Sequence, residues 1–206
     1  MFKMPKEEIN QSKLICVTGF MGSGKSTFVN FLKQMGCETF VADEFVHNSY
    51  LKGNIGYKII KDNFGTDYVN DECVDRPKLR ELILNNQEKK FLLEKLMNKV
   101  IYDKIFELKK ENRQIIVELG TYLFFEEYFK DLFYKVVVVD SSDKNYKKNN
   151  FKKFSNIEKF STKPVGNLEN PQKEGVFYTD FLVGNCGNLF DLESKAKDFL
   201  KVLTHI

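Results

Sequence analysis

The chain has 206 residues, of which 42% are hydrophobic and 30% charged, and its formal net charge is +3. A chain of this length suits one domain with insertions rather than several independent domains, and so small a charge does not indicate a general affinity for nucleic acid. The polar segment 1–13, the lack of a membrane-length apolar run and four scattered cysteines favour a cytoplasmic protein without a membrane partner, disulfides or a zinc site.

The first predicted elements are a buried strand, a glycine-rich loop and a helix. The apolar run LICV precedes TGFMGSGKST, which matches the pattern G-x-x-x-x-G-K-[ST] at residues 19–26. Apolar residues at helical spacing follow, and Gly36 is expected to end this helix. A loop so placed points backbone N–H groups and a helix N-terminus at an anion, which predicts a site for the phosphates of a nucleotide.

The residues expected to bind ATP are Gly22, Ser23, Gly24, Lys25, Ser26 and Thr27. Glycine permits backbone conformations and a close phosphate approach that a Cβ would hinder. We expect the Lys25 ammonium to reach the β and γ phosphates, and the Ser26 hydroxyl to ligate Mg²⁺. ATP and Mg²⁺ are therefore the predicted ligands of this loop.

The rest of the chain alternates between strand and helix patterns, which predicts an α/β fold with a parallel sheet. The five candidate strands are 14–18, 38–42, 114–119, 134–140 and 180–184. The run YKVVVVD is β-branched without alternation, as expected of a strand covered on both faces. Roughly seventy residues of helical pattern separate the second and third strands, more than one crossover helix requires. We therefore predict an inserted helical substrate module at 44–112.

A second candidate site follows the second predicted strand, in FVADEFVHNSY. Asp43 falls at the carboxyl edge of the sheet, where open α/β folds bind ligands. A carboxylate there can orient or deprotonate an attacking hydroxyl and help to position Mg²⁺, and it can equally cap a helix. His47 is either a site residue on the same helix face or a structural histidine. Glu118, which ends the third strand, is either a carboxylate that holds a Mg²⁺-bound water or a surface glutamate.

Six segments of this sequence resemble, in order and spacing, the motifs of the dephospho-coenzyme A kinase family. They are TGFMGSGKST, VADEF, IIKDNFG, DRPKL, YKVVVVD and TDFLVGNCGN, and the resemblance covers about residues 14–200. It implies a three-layer P-loop kinase fold with a parallel five-stranded sheet, a helical acceptor-binding insertion at 44–112 and a lid at 141–165. The implied reaction is transfer of the γ-phosphate of ATP to the ribose 3′-hydroxyl of dephospho-CoA, the last step of coenzyme A synthesis.

The resemblance also implies roles for individual residues. Asp43 corresponds to the family's catalytic carboxylate, and Arg76 to an arginine that binds the anionic acceptor through its fork of N–H donors. His47 and Tyr122 are further candidates for the acceptor pocket. Asn185 corresponds to an asparagine expected near the adenine of ATP, although a turn residue between glycines would show the same pattern.

Two departures from the family pattern affect these expectations. Val41 stands where relatives carry a first aspartate, so this site has one carboxylate instead of two. The lid segment has lysines and no arginine; we expect Lys148 and Lys152 to contact ATP phosphates, the alternative being a solvated basic face. Lysine supplies the charge without the bidentate fork, which predicts weaker stabilisation of the transition state.

The sequence leaves two alternative functions open. One is another small-molecule P-loop kinase with a nucleoside or nucleotide acceptor, and the other is a degenerate ATP-binding protein without turnover. The sequence lacks the N-K-x-D motif expected of a GTPase switch. The prediction is a monomeric kinase for dephospho-CoA, with no specific nucleic-acid partner.

Overall fold

The computed structural model describes residues 13–120, 129, 131–141, 158–159, 164–165, 177–185 and 188–203. The chain divides into two compact units, one comprising residues 1–40 and 108–206 and the other residues 41–107. Tyr122, Lys148 and Lys152 lie outside the described residues. Of the predicted lid, residues 141, 158–159 and 164–165 are described.

The first unit is built on a sheet of mostly parallel strands. These strands are β1 (Lys13–Thr18), β2 (Thr39–Val41), β3 (Gln114–Glu118), β4 (Lys135–Ser141), β5 (Glu158–Lys159) and β8 (Phe181–Asn185). Their order is β2-β3-β1-β4-β8-β5. The predicted five-stranded parallel sheet is confirmed, and every predicted strand end lies within one residue of the observed end. The structure adds β5, which pairs antiparallel with β8 and, at two residues, is too short to give a periodic signal.

The central strands have continuous apolar runs, LICV in β1 and VVVV in β4, as expected of a sheet covered on both faces. Five of the six residues of β1 are buried. Helices α1 (Lys25–Gln34) and α6 (Leu189–Leu203) belong to the same unit. The ring centroid of Phe199 in α6 lies 5.8 Å from that of Phe28 in α1, with the rings tilted, and 5.3 Å from that of Phe181 in β8, edge to face. This aromatic cluster joins the helix that follows the glycine-rich loop to the strand that ends at Asn185. Strands β6 (Pro164–Val165) and β7 (Phe177–Tyr178) form a separate antiparallel pair.

Helix α1 ends where the sequence predicted. Gly36 has a φ of 92°, and its N–H donates to the Lys33 carbonyl while the Cys37 N–H donates to the Leu32 carbonyl. This pair of hydrogen bonds is the Schellman arrangement, which needs a left-handed residue after the helix. Glycine supplies that conformation without a steric penalty.

The second unit is helical and has a core of its own. It contains α2 (Ala42–Ser49), α3 (Ile55–Phe64), α4 (Arg76–Asn85) and most of α5 (Gln87–Lys110). Its buried core consists of Tyr50, Tyr57, Ile60, Val74, Leu79, Leu93 and Met97. Helices α2 and α3 approach closely at Gly56, where a Cβ would lie 2.3 Å from the Ser49 Oγ. Within the described residues, no helix is both long and apolar enough to span a membrane.

Candidate active site

The glycine-rich loop of the first unit has the conformation that binding of phosphate requires. Gly22 and Gly24 have φ angles of 78° and 91°, in the left-handed region that favours glycine. Gly24 is the N-cap of α1; among the described residues no side chain caps this helix, and its first turn carries no acidic residue. The N-terminal N–H groups of α1 and its positive dipole end are therefore suited to an anion.

A buried carboxylate lies against this loop. Glu118 is the last residue of β3, and the parallel pairing of β1 and β3 places it beside Val17. Its Oε1 accepts a hydrogen bond of 2.5 Å from the Ser26 hydroxyl and lies 3.8 Å from the Lys25 Nζ. Glu118 is 5% exposed, so its interpretation as a surface glutamate is wrong. A carboxylate this buried needs a cation and hydrogen-bond donors, which Lys25 and Ser26 supply.

The residues of this corner fit a Mg²⁺ ion that binds together with nucleotide phosphates. Mg²⁺ prefers oxygen ligands and is usually held by one or two carboxylates in addition to the phosphates of its substrate. The Ser26 hydroxyl donates a hydrogen bond to Glu118, so the lone pairs of its oxygen remain available to a metal ion. In the part of the chain that the structure describes, two buried hydroxyls of the same segment, on Thr18 and Ser23, have no hydrogen-bond partner. Polar atoms without partners are therefore concentrated at the loop.

Asn185 contacts the loop backbone directly. It is the last residue of β8, and its Nδ2 donates a hydrogen bond of 2.9 Å to the Ser23 carbonyl. The alternative interpretation of Asn185 as an ordinary turn residue is therefore wrong. Its expected place near adenine stays a prediction. Because β1, β3 and β8 are parallel strands of one sheet, the loop, Glu118 and Asn185 all lie at its carboxyl edge.

The second unit carries the predicted site residues Asp43, His47 and Arg76. Asp43 is the second residue of α2 and is exposed, whereas the N-cap position belongs to Val41. The interpretation of Asp43 as the cap of this helix is therefore wrong. A carboxylate in the first turn of a helix is favoured by the helix dipole. Nothing within this unit restricts the exposed Asp43 to a structural role.

Arg76 is positioned by the local chemistry of the DRPKL motif. Asp75 caps α4 through a hydrogen bond of 3.1 Å from the Lys78 N–H, Pro77 occupies the first turn, and Leu79 is buried in the core. Arg76 is thereby fixed as the first residue of the helix, with its side chain in solvent.

Arg76 lies beside His47 and at the edge of a cavity. Its Nη1 is 3.5 Å from the His47 Nδ1. The cavity has a volume of about 580 Å³ and is lined by Tyr50, Arg76, Pro77, Leu79, Arg80, Ile83 and Leu93. Two guanidinium groups thus border a partly apolar wall, which suits a ligand with both anionic and apolar parts. Arg80 was not among the predicted site residues, although its spacing of four residues from Arg76 on one helix places both on the same face.

The chain is similar to known proteins over most of its length. A family model described as dephospho-CoA kinase matches residues 13–189. The chain belongs to the dephospho-CoA kinase family. A dephospho-CoA kinase from Aquifex aeolicus is 26% identical and covers 93% of this chain and 98% of its own length. Another, from Lactobacillus acidophilus, is 28% identical, with coverages of 91% and 95%.

Solved structures confirm the fold. A dephospho-CoA kinase from Campylobacter jejuni superposes with a TM-score of 0.62 at 22% identity and covers 93% of this chain and 96% of its own. The protein TT1252 from Thermus thermophilus gives a TM-score of 0.59 at 18% identity, with coverages of 93% and 98%. The predicted family and P-loop kinase fold are therefore confirmed, and with them an enzyme whose substrates are ATP and dephospho-CoA.

Other family positions have structural roles in this dephospho-CoA kinase family member. Asp180, in the TDF part of the last motif, accepts hydrogen bonds from the Val136 N–H and the Lys135 Nζ. These contacts lie where β4 and β8 begin, at the sheet edge opposite the glycine-rich loop. Met97 is 5% exposed in the core of the second unit. Asp180 therefore joins the start of β8 to the start of β4, and Met97 is a packing residue of the helical core.

Proposed function

We propose that this chain transfers the γ-phosphoryl group of Mg²⁺-bound ATP to the ribose 3′-hydroxyl of dephospho-CoA through the residues named below. The observation that carries the proposal is the buried Glu118 against Ser26 and Lys25, beside a loop with two left-handed glycines. This combination supplies N–H donors, a cation and oxygen ligands in one corner of the sheet. Those are the groups that phosphoryl transfer uses.

ATP binds along the loop, with its phosphates on the N–H groups of residues 22–27. Lys25 is 3.8 Å from the Glu118 Oε1, beyond hydrogen-bond distance, so its ammonium can turn to the β and γ phosphates without breaking a short contact. Ser26 and Glu118 would hold Mg²⁺. When bound, the metal ion neutralises charge on the transferred group. Asn185 is expected to lie near the adenine.

Dephospho-CoA binds to the helical unit, residues 41–107. The guanidinium groups of Arg76 and Arg80 bind its diphosphate, because a planar fork of N–H donors matches phosphate oxygens. The Arg76 Nη1 is 3.5 Å from the His47 Nδ1, so His47 lies beside the proposed diphosphate contact. The apolar wall of Tyr50 and its neighbours packs against the less polar part of the acceptor. Tyr122 stays a predicted contact of the acceptor.

Asp43 orients the 3′-hydroxyl and accepts its proton. The hydroxyl oxygen forms a bond to the γ-phosphorus while the bond from that phosphorus to the β–γ bridging oxygen breaks, and ADP leaves with the electron pair. Val41 leaves this step with a single carboxylate where relatives have two. Catalysis then depends mostly on positioning and on electrostatic stabilisation of the transferred group.

The lid lysines complete the proposal. Lys148 and Lys152 are proposed to neutralise the transferring phosphoryl group when the lid closes, and the enzyme is proposed to act as a monomer. Changing both lysines to alanine should raise the KM for ATP and lower kcat. Unchanged kcat and KM would remove the lysines from the mechanism, and a dimer mass in sedimentation would contradict the monomer.

The first experiment compares acceptors. ADP release from Mg²⁺-ATP is measured with dephospho-CoA, adenosine, cytidine, AMP and no acceptor, and the product masses are recorded. Among these acceptors, we expect only dephospho-CoA to support ADP release, and we expect its product to be heavier by one phosphoryl group. Turnover with a nucleoside instead would make the chain a kinase for that acceptor. ATP binding without turnover on any acceptor would make it a degenerate binder.

The second experiment tests Asp43 against a matched neighbour. Asp43→Asn should lower kcat by about 10²–10⁴-fold, the usual contribution of a general base, while the Kd for ATP is unchanged. Glu44 is also exposed in the first turn of α2, so Glu44→Gln changes the same helix end by the same charge. Equal kcat values for the two variants would exclude Asp43 as the base.

A further inference from the structure

Lys195 is a buried lysine that the reaction described above does not use. It lies in α6, and its side chain is 11% exposed. Lysine is seldom buried to this extent unless its ammonium is paired and hydrogen-bonded. Here the Nζ donates hydrogen bonds of 2.6 Å each to the Asp191 Oδ2 and to the Gly184 carbonyl. The first partner is on the same helix, and the second belongs to β8.

A neighbouring ion pair shows what is particular about this lysine. Lys197 and Glu193 form an ion pair of 2.6 Å with the same i, i+4 spacing, but their side chains are 56% and 37% exposed. An ion pair on a helix surface contributes little and can be lost without consequence. Lys195 differs because it reaches out of its helix and binds the end of a strand. Its contact therefore connects α6 to the carboxyl edge of the sheet.

The strand end that Lys195 holds carries Asn185. Gly184 pairs with Asp140 and Asn185 pairs with Ser141, so both are the final residues of the β4–β8 ladder. Asn185 then donates its amide hydrogen to the Ser23 carbonyl over 2.9 Å. The two hydrogen bonds form a continuous connection from Lys195 through two adjacent residues of β8 to the glycine-rich loop.

The Ser23 carbonyl determines where a phosphate-binding N–H group points. The carbonyl of Ser23 and the N–H of Gly24 belong to one planar trans peptide unit, so they point in opposite directions. Holding the carbonyl toward Asn185 aims the Gly24 N–H away from Asn185. The fit is close, because a Cβ on Gly24 would lie 2.3 Å from the Asn185 Nδ2. Asn185 thereby restricts the rotation of the Ser23–Gly24 peptide unit, which has a flexible glycine on one side.

We propose that Lys195 and Asn185 are positioning residues that hold the glycine-rich loop in its phosphate-binding conformation. The proposal rests on the proposed function, because it takes the loop to bind the phosphates of ATP. Neither residue needs to touch the reacting atoms. Lys195 acts through β8, and Asn185 acts through the Ser23 carbonyl. Loss of either contact lets the peptide unit rotate and weakens binding of the polyphosphate, while binding of the acceptor is unchanged.

The experiment uses inorganic tripolyphosphate beside ATP, because tripolyphosphate has no adenine. Kd values with Mg²⁺ are measured by calorimetry for the wild type, Lys195→Met, Asn185→Leu and the surface control Lys197→Met. Lys195→Met should raise both Kd values about tenfold, the lower end expected for hydrogen bonds to a charged group. Asn185→Leu should also raise both. Lys197→Met should change neither, and the KM for dephospho-CoA should stay constant in all.

Two further variants separate positioning from general stability. Lys195→Arg keeps the charge and the donor and should recover most of the lost affinity, whereas a residue needed only for packing would not be rescued. If Lys195→Met does not fold, Asp191→Asn removes the ion pair and keeps the lysine, and it should still raise the Kd for tripolyphosphate severalfold.

The possible results distinguish failure of this proposal from failure of the proposed function. An unchanged Kd for tripolyphosphate in the folded Lys195 or Asp191 variant would overturn it. If Asn185→Leu raised the Kd for ATP but not the Kd for tripolyphosphate, Asn185 would be an adenine contact only, and this result would also overturn the proposal. A wild-type chain that binds tripolyphosphate but does not phosphorylate dephospho-CoA would end the proposed function, and the comparison of variants would still decide the role of Lys195.

Discussion

Replacing Gly24 by alanine should reveal the close packing between the loop and β8. Gly24 has a φ of 91°, and a Cβ there would meet the Asn185 Nδ2 at 2.3 Å. Gly22 is the matched control, because its φ is 78° and nothing lies within 4 Å of its Cβ position. Both substitutions carry the cost of a left-handed alanine, about 1–2 kcal/mol. Both also gain about 0.4–1 kcal/mol from a stiffer unfolded chain.

The difference between the two variants isolates the contact. No real Cβ approaches another atom to 2.3 Å, so the Asn185 amide must move and release the Ser23 carbonyl. Loss of such a hydrogen bond costs about 0.5–1.5 kcal/mol. Gly24→Ala should therefore destabilise the protein by about 1 kcal/mol more than Gly22→Ala.

Urea unfolding followed by circular dichroism measures this difference. In an Asn185→Ala background the two glycine variants should become equivalent, since the colliding amide is gone. Equal free energies of unfolding for Gly22→Ala and Gly24→Ala in the wild-type background would refute the reasoning.

Three further predictions concern other parts of the chain. Gly56→Ala should destabilise the helical unit by about 1–3 kcal/mol in thermal unfolding, because of the Ser49 contact, and a gain in stability would contradict this packing. Burial raises the pKa of the Cys16 thiol, so at alkaline pH this thiol loses its proton when the chain unfolds. Above about pH 9 the free energy of unfolding should therefore fall by up to about 1.4 kcal/mol per pH unit. The fall should be less steep in Cys16→Ala, as measured by urea unfolding at several pH values. Glu118→Gln should raise the Mg²⁺ concentration for half-maximal activity about 10–100-fold, and an unchanged value would exclude Glu118 as a metal ligand.

The strands and helices could be predicted because each depends on local patterns. The unalternated run at β4 predicted a doubly covered strand, and Gly36 predicted the end of α1 from backbone conformation alone. The two-residue β5 gave no signal, because it exists only through its pairing with β8. Pairing of that kind depends on residues distant in sequence and leaves no periodicity to detect.

The candidate site was predictable only in part for the same reason. The residues of the loop match a sequence pattern of their own and could be predicted. The two roles considered for Glu118, a metal-site carboxylate and a surface glutamate, differ in whether the side chain is buried. Burial follows from the register of β1 with β3, which no local pattern encodes. Lys195 gave no signal at all, since a lysine four residues after Asp191 is typical of an exposed helix face. Its contact with Gly184 depends on the packing of a helix on a strand end.

The hydrogen bonds at the glycine-rich loop also determine when, during synthesis of the chain, the loop can bind a nucleotide. Ser26 and Glu118 are 92 residues apart, and Ser23 and Asn185 are 162 residues apart. At a typical translation rate, on the order of ten seconds passes between the emergence of the loop and that of its last support. A nascent chain therefore presents the nucleotide motif long before it can hold a nucleotide in the native way. Nucleotide binding therefore adds its stabilisation only after β8 and helix α6 have been synthesised.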